Sequence, residues 1–178
     1  GNSSHVRNMA DTGFLRDVKA VYSTVQAYAA LRTDGSVAVW GRVSHGGSFF
    51  WPAQYRGGEG GYHFKKNAVG YAVEAAMQSG VKEIHSISDS FAALKKDGSV
   101  WTWGNYESDP TSCGRRTGNA GKCNWDVSVL DSGVAKVVGM SSVFAALKTD
   151  GAVYVWGGQF YAMPSAAQQS TLAAGGFA

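Results

Sequence analysis

The chain has 178 residues, 24 of them glycine and only 3 proline, with 12% aromatic and 16% charged side chains. That length allows one domain with a sizeable core, burying roughly 70% of the surface its unfolded form would expose, and the composition excludes a charge-rich disordered segment. A formal charge of +3, with Lys65-Lys66, Lys95-Lys96 and Arg115-Arg116 as the only adjacent basic pairs, excludes a nucleic-acid stripe, and no apolar run is long enough for a membrane helix.

The chain opens at Gly1 rather than Met, which suits either a removed leader or a fragment. Ser4 is placed to cap a short turn through Val6 and Met9. Residues 18–23 read as a leading strand, and residues 28–41 (YAALRTDGSVAVWG) as a β-hairpin about Asp34-Gly35 and closed by Trp40-Gly41. The connection 42–64 then brings together Phe49, Phe50, Trp51, Tyr55, Tyr62 and Phe64 around Pro52 and several glycines. So much aromatic surface is costly to leave wet. It folds back over an end sheet, serves as a contact for a protein partner through aromatic anchors, or takes a hydrophobic small ligand or pigment. Its glycine-rich stretch, residues 57–61 (GGEGG), lacks the Lys-Ser/Thr ending of a phosphate loop and reads as flexible linkage.

Residues 72–78 (AVEAAMQ) predict a helical turn stopped by Ser79-Gly80 in the manner of a glycine C-cap. A second leading strand from Val81 and a second hairpin, residues 91–104 (FAALKKDGSVWTWG), follow. Cys113 and Cys123 flank a small polar stretch carrying Arg115 and Arg116. A bridge between these cysteines would close a short loop, contributing roughly 3 kcal/mol in chain-entropy terms and implying an oxidising compartment. Two free loop thiols are the other reading; a zinc site is not, because no paired ligand spacing accompanies them. The charged tip between them is either solvated or a second contact. A third hairpin, residues 144–157 (FAALKTDGAVYVWG), and a tail, residues 158–178, complete the chain.

Eight of the fourteen hairpin columns are identical in all three copies, and each copy has a Val 22 residues before its Trp (Val18, Val81, Val134) and a β-branched residue three further on (Val21, Ile84, Val137). One unit has been copied three times. The turns lie 63 and 53 residues apart, a period of propeller or solenoid units, with the difference in the connections. A single repeat domain over 1–178 is expected, with repeats at about 1–41, 65–104 and 118–157 and the insertion at 42–64.

A two-residue Asp-Gly loop favours a type I′ turn, with positive φ at both positions. In that register Thr33 faces Ser36, Leu31 faces Ala38 and Ala29 faces Trp40, while Trp103 and Trp156 face Ala92 and Ala145. Both sheet faces are then largely apolar and must both be covered, which stacked blades achieve. The aspartates Asp34, Asp97 and Asp150, with Gly35, Gly98 and Gly151, are explained by the turns and not by a metal or catalytic set.

The pattern V-x-x-[VI] followed by [FY]-A-A-L-[KR]-x-D-G-[SA]-V-x-x-W-G resembles the regulator-of-chromosome-condensation type of repeat, in the version found in long arrays in bacteria and in microalgae such as dinoflagellates. Gly1-Asn2-Ser3-Ser4, with Val6 following, resembles the middle of such a unit and Gly175-Gly176 the end of one. The resemblance implies an all-β, partial propeller of about three blades with short helical turns in the connections. Three repeats cannot close the family's usual seven-bladed ring. The chain is then an arc of a longer protein, or copies associate, or a partner caps the ends. The family's guanine-nucleotide exchange and β-lactamase inhibition have no matching loop motifs here.

Of the histidines, His85 aligns with Tyr22 and Val138 and suits packing; His45 and His63 share the insertion and are the sole pairing that could meet over a ligand. Catalysis would need a base and nucleophile fixed together, and no such set is evident. The expected function is a non-enzymatic protein-binding or scaffold module, a structural subunit of a larger assembly, with no cofactor and no metal. Its partners are other protein subunits or further repeats of a longer chain. Alternatives are a peripheral accessory subunit of an organellar, photosynthetic membrane complex, a surface adhesin fragment binding carbohydrate, and, least favoured, an enzyme. An extracellular or organellar-lumen compartment is favoured slightly, through the cysteines.

Overall fold

The computed structural model describes residues 15–49, 73–105 and 127–157, together with Thr171 and Ala174. Each repeat forms one three-stranded antiparallel sheet in chain order: β1 (Val18–Ser23), β2 (Ala27–Arg32) and β3 (Val37–Gly41); β4 (Val81–Ser86), β5 (Ser90–Lys95) and β6 (Val100–Gly104); β7 (Val134–Met140), β8 (Val143–Lys148) and β9 (Val153–Gly157). The expected all-β, partial propeller-like succession of three blades is what the chain forms. Short helical turns accompany it at residues 73–76 and at Val127–Leu130. The first matches the predicted helical turn, with Met77 N–H donating to the Val73 carbonyl at 2.9 Å and Gly80 at φ +75°. The predicted Ser4 turn, both cysteines, Arg115, Arg116 and His63 lie outside the described residues.

The hairpin turns correct the expected register. Gly35 N–H donates to the Arg32 carbonyl at 3.0 Å and Arg32 N–H to the Ser36 carbonyl at 2.9 Å, so the loop has three residues, Thr33, Asp34 and Gly35. The same bonds recur about Lys95, Gly98 and Ser99 and about Lys148, Gly151 and Ala152. Only the glycine takes positive φ, +81°, +81° and +89° in the three copies, as in a type I turn followed by a one-residue glycine bulge. Asp34 instead serves through its side chain: Oδ1 accepts the Ser36 N–H at 2.8 Å, and Asp97 and Asp150 accept Ser99 N–H at 2.9 Å and Ala152 N–H at 3.0 Å.

The extra loop residue slips the pairing by one. Tyr28 now faces Trp40, Phe91 faces Trp103 and Phe144 faces Trp156, where a small alanine partner was expected. The rings stack at centroid distances of 5.3, 5.3 and 5.4 Å, each pair adding about 0.5–1.5 kcal/mol beyond the area it buries. The glycine after each Trp sits where the hairpin base closes: a Cβ on Gly104 would stand 2.6 Å from the Ser90 Cα.

A second irregularity explains the V-x-x-[VI] spacing. The pairing of each leading strand shifts between Val18 and Ala20, between Val81 and Glu83, and between Val134 and Lys136. Residues three apart in a regular strand point to opposite faces; one bulged residue returns them to the same face. Val81 and Ile84 accordingly enter one core cluster together, and Val134 and Val137 the next.

The core lies between the blades. Along β5 the side chains alternate, Phe91 and Ala93 packing with the cluster toward blade 1 and Ala92 and Leu94 with the cluster toward blade 3. Blades 2 and 3 thus turn a leading face, bearing the stacked Phe–Trp pair, toward the preceding blade, which meets it with a trailing face of Ala, Leu and Val. Backbone bonds stitch the blades at both ends. Val81 N–H donates to the Gly35 carbonyl and Val134 N–H to the Gly98 carbonyl, each at 3.0 Å; Val25 N–H donates to Ser88 and Ser88 N–H to Ser141, at 3.0 and 2.8 Å. The donors and acceptors occupy equivalent positions in successive repeats.

Candidate protein-binding site

The connection that leaves blade 1 begins as structure. Arg42 N–H donates to the Gln26 carbonyl at 2.8 Å and its guanidinium to the Gln26 side-chain oxygen at 2.7 Å. Val43–His45 forms a single 3₁₀ turn ended by Gly46 at φ +92°. The Thr24 hydroxyl donates to the His45 carbonyl at 2.9 Å, tying this turn to the β1–β2 corner.

From there the chain crosses onto blade 2. The buried Trp103 donates its indole N–H to the Gly46 carbonyl at 3.1 Å, and Phe49 meets the same indole edge-on at 5.4 Å and 64°. Gly46 lies so near the stacked pair that a Cβ there would be 2.6 Å from the Phe91 ring. Phe49, one of the six predicted contact aromatics, is therefore partly buried against the core between blades 1 and 2. Phe50, Trp51, Tyr55, Tyr62 and Phe64 lie outside the described residues. The described part of the insertion thus acts as a strap from blade 1 to blade 2. Sequence reasoning missed Gly46; its signal was a glycine pair just beyond the Trp-Gly ending, next to an aromatic run.

The recurrent basic column also proves structural. Lys95 Nζ donates to the Ala76 carbonyl at 2.8 Å and Lys148 Nζ to the Val129 carbonyl at 2.6 Å, each tying the short helical turn that precedes its own blade. His85 is half-buried, with Nε2 3.3 Å from Glu83 Oε2, and Glu83 also meets Lys82 at 3.1 Å. Lys82, ahead of His85, holds the Glu83 carboxyl below the usual range. His45 Nδ1 lies 2.9 Å from the Ser44 hydroxyl. The Asp34 and Asp97 carboxyls are also held below the usual range, first by the hydroxyls of Ser36 and Ser99 and then by their N–H groups. Among the described residues no three His, Cys, Asp or Glu side chains gather as a metal site, and no helix is long and apolar enough to cross a membrane.

Comparison with solved structures returns low-identity likenesses. The chain is similar to human WBSCR16, at 21% identity and a TM-score of 0.47 over 82% of this chain and 35% of that one. It is also similar to the ectodomain of the Arabidopsis thaliana receptor kinase ACR4, at 14% identity and a TM-score of 0.42 over 83% and 38%. Prp20p of Saccharomyces cerevisiae, described with its binding to Gsp1p and histones, is matched at 18% identity and a TM-score of 0.44 over 80% and 33%. The chain spans about a third of the length of these structures. No family model matches the sequence, and no curated protein does.

Proposed function

We propose that this chain is a non-catalytic protein-binding module, a structural subunit of a larger assembly, in which stacked blades hold the aromatic connection 42–64 against another protein. The observation that carries this reading is the strap. Gly46 and Phe49 fasten the start of the connection to Trp103 of blade 2, so the remaining aromatics depart from a rigid base. A contact surface held by a rigid scaffold loses less entropy on binding than a free loop. The repeat's own residues support the same division of labour, because the recurring Asp, Gly, Lys and Trp all have structural partners, which leaves partner recognition to the variable connections. The resemblance to regulator-of-chromosome-condensation repeats agrees with a binding role.

Replacing Phe50 and Trp51 together with Ser is expected to reduce, by roughly tenfold or more as for loss of aromatic anchors, the recovery of the proteins that co-purify with the wild-type chain, while leaving the β-sheet circular dichroism unchanged. Unaltered capture would remove this surface from the proposal.

A further inference from the structure

The chain holds three Asp-Gly dipeptides, beginning at Asp34, Asp97 and Asp150, and all three occupy the same turn. Aspartate before glycine is open to attack on its own side chain, because glycine has no Cβ to obstruct its nitrogen. In that reaction the Gly nitrogen bonds to the Asp Cγ, the amide hydrogen and the carboxyl hydroxyl leave together as water, and a five-membered succinimide forms. Water then adds at the side-chain carbonyl to restore aspartate, or at the main-chain carbonyl to give isoaspartate, whose main chain runs through Cβ and Cγ. One water leaves and one returns, so mass and oxidation state are unchanged.

The three turns share what holds this reaction back. Gly35, Gly98 and Gly151 each donate their N–H to a carbonyl, of Arg32, Lys95 and Lys148, at 3.0, 3.1 and 3.1 Å. Each Asp Oδ1 accepts the N–H two residues on, and all three aspartates are exposed to water. They differ in one hydroxyl. Ser99 donates its hydroxyl to Asp97 Oδ1 at 2.7 Å. The Ser36 hydroxyl, which accepts from the Arg32 guanidinium at 3.1 Å, is the largest influence holding the Asp34 carboxyl below the usual range. Residue 152 is alanine, so the Asp150 carboxyl has no hydroxyl at this position to accept from. A second bond to the carboxylate holds Cγ toward residue i+2 and away from the glycine nitrogen, and it favours the ionised form over the neutral acid that loses water.

We propose that Asp150-Gly151 is the place in this chain where aspartate passes to isoaspartate, which makes blade 3 a substrate for carboxyl methyltransferases that act on isoaspartate with S-adenosylmethionine. The added main-chain carbon falls inside the loop closed by the Gly151 N–H to Lys148 and Lys148 N–H to Ala152 bonds, and the Ala152 N–H loses its side-chain acceptor. Conversion therefore loosens the β8–β9 hairpin. The difference lies in the sequence of the turn itself, so it is independent of what adjoins blade 3 and of the aromatic connection.

Ageing the 178-residue chain at about pH 5, where aspartates are partly protonated, and mapping isoaspartate at the three turns by peptide chromatography and fragmentation tests the proposal. Isoaspartate should accumulate at Asp150 about two- to tenfold faster than at Asp34 or Asp97, the range that one hydrogen bond accounts for. Methyl label from an isoaspartyl methyltransferase should map to the same peptide. Ala152→Ser should slow Asp150 to the rate of the other two, and Ser99→Ala should bring Asp97 up to the rate of Asp150. Each variant installs a residue that the same turn position already carries in another repeat, so the hairpin is retained. In urea, where the turns are lost, the three rates should converge. Equal rates in the folded chain, no response to Ala152→Ser, or a difference that persists in urea overturns the proposal.

Discussion

Blade 1 and blade 2 carry the same hairpin, with the same turn and the same aromatic stack at its base, yet the stack is half-exposed in one and buried in the other. In blade 2 the Phe91–Trp103 pair is enclosed by the trailing face of blade 1 and by the strap through Gly46 and Phe49. In blade 1 the Tyr28–Trp40 pair has the same 5.3 Å spacing but Tyr28 is left exposed. The geometry of the pair is therefore a property of the hairpin, whereas its burial is a property of the neighbour. The substitution of Tyr for Phe at the exposed position agrees with this, since a phenol tolerates water at its edge.

The sharpest way to break the comparison is to truncate both aromatics. Phe91→Ala should cost about 3–5 kcal/mol, as for a fully enclosed ring, and Tyr28→Ala only about 1 kcal/mol, both read from urea midpoints. Equal losses would mean that the neighbour contributes little.

The turn glycines give a smaller contrast of the same kind. Ala at any of the three positions meets positive φ, costing about 1–2 kcal/mol. At Gly98 the added methyl also strikes the backbone of Gly133, whereas at Gly151 it meets open space. Gly98→Ala should therefore be worse than Gly151→Ala by about 1–3 kcal/mol in the same assay.

The smallest effect is expected from the turn carboxylates. Because hydrogen bonds from Ser36 and Ser99 lower the Asp34 and Asp97 pKa in the folded chain, their contribution is complete above the ordinary aspartate range and is lost as pH falls through the lowered values. Thermal midpoints of the wild type should decline on acidification below about pH 4, and Asp34→Asn, Asp97→Asn should flatten that decline. An unchanged pH profile would show that these solvent-facing bonds do not couple to folding.

Much of the fold was legible because the unit is local. The leading strand at residues 18–23 coincides with Val18–Ser23, and the hairpins and the helical turn before Val81 stand where turn residues put them, whereas the side chains sharing each sheet face do not. The candidate site was legible as a cluster of aromatics but not in its division of labour. Phe49 became cover for Trp103 because a tryptophan three-dimensionally adjacent, yet far along the chain, offered its ring edge and an indole donor.

Sequence by itself determined that there are three units, that each folds about its Asp-Gly turn, and that both faces of each sheet need cover. These follow from residue identity and from period-two alternation, which act within a few residues. The register was decided only by the tertiary structure. Asp-Gly suits a two-residue loop as well as the last two positions of a three-residue loop, so local preference leaves the choice open. Under the two-residue register Trp and Phe would fall on opposite faces. The observed register places them together on the leading face and leaves Ala, Leu and Val on the trailing one. That complementarity between blades exists only once the blades are stacked.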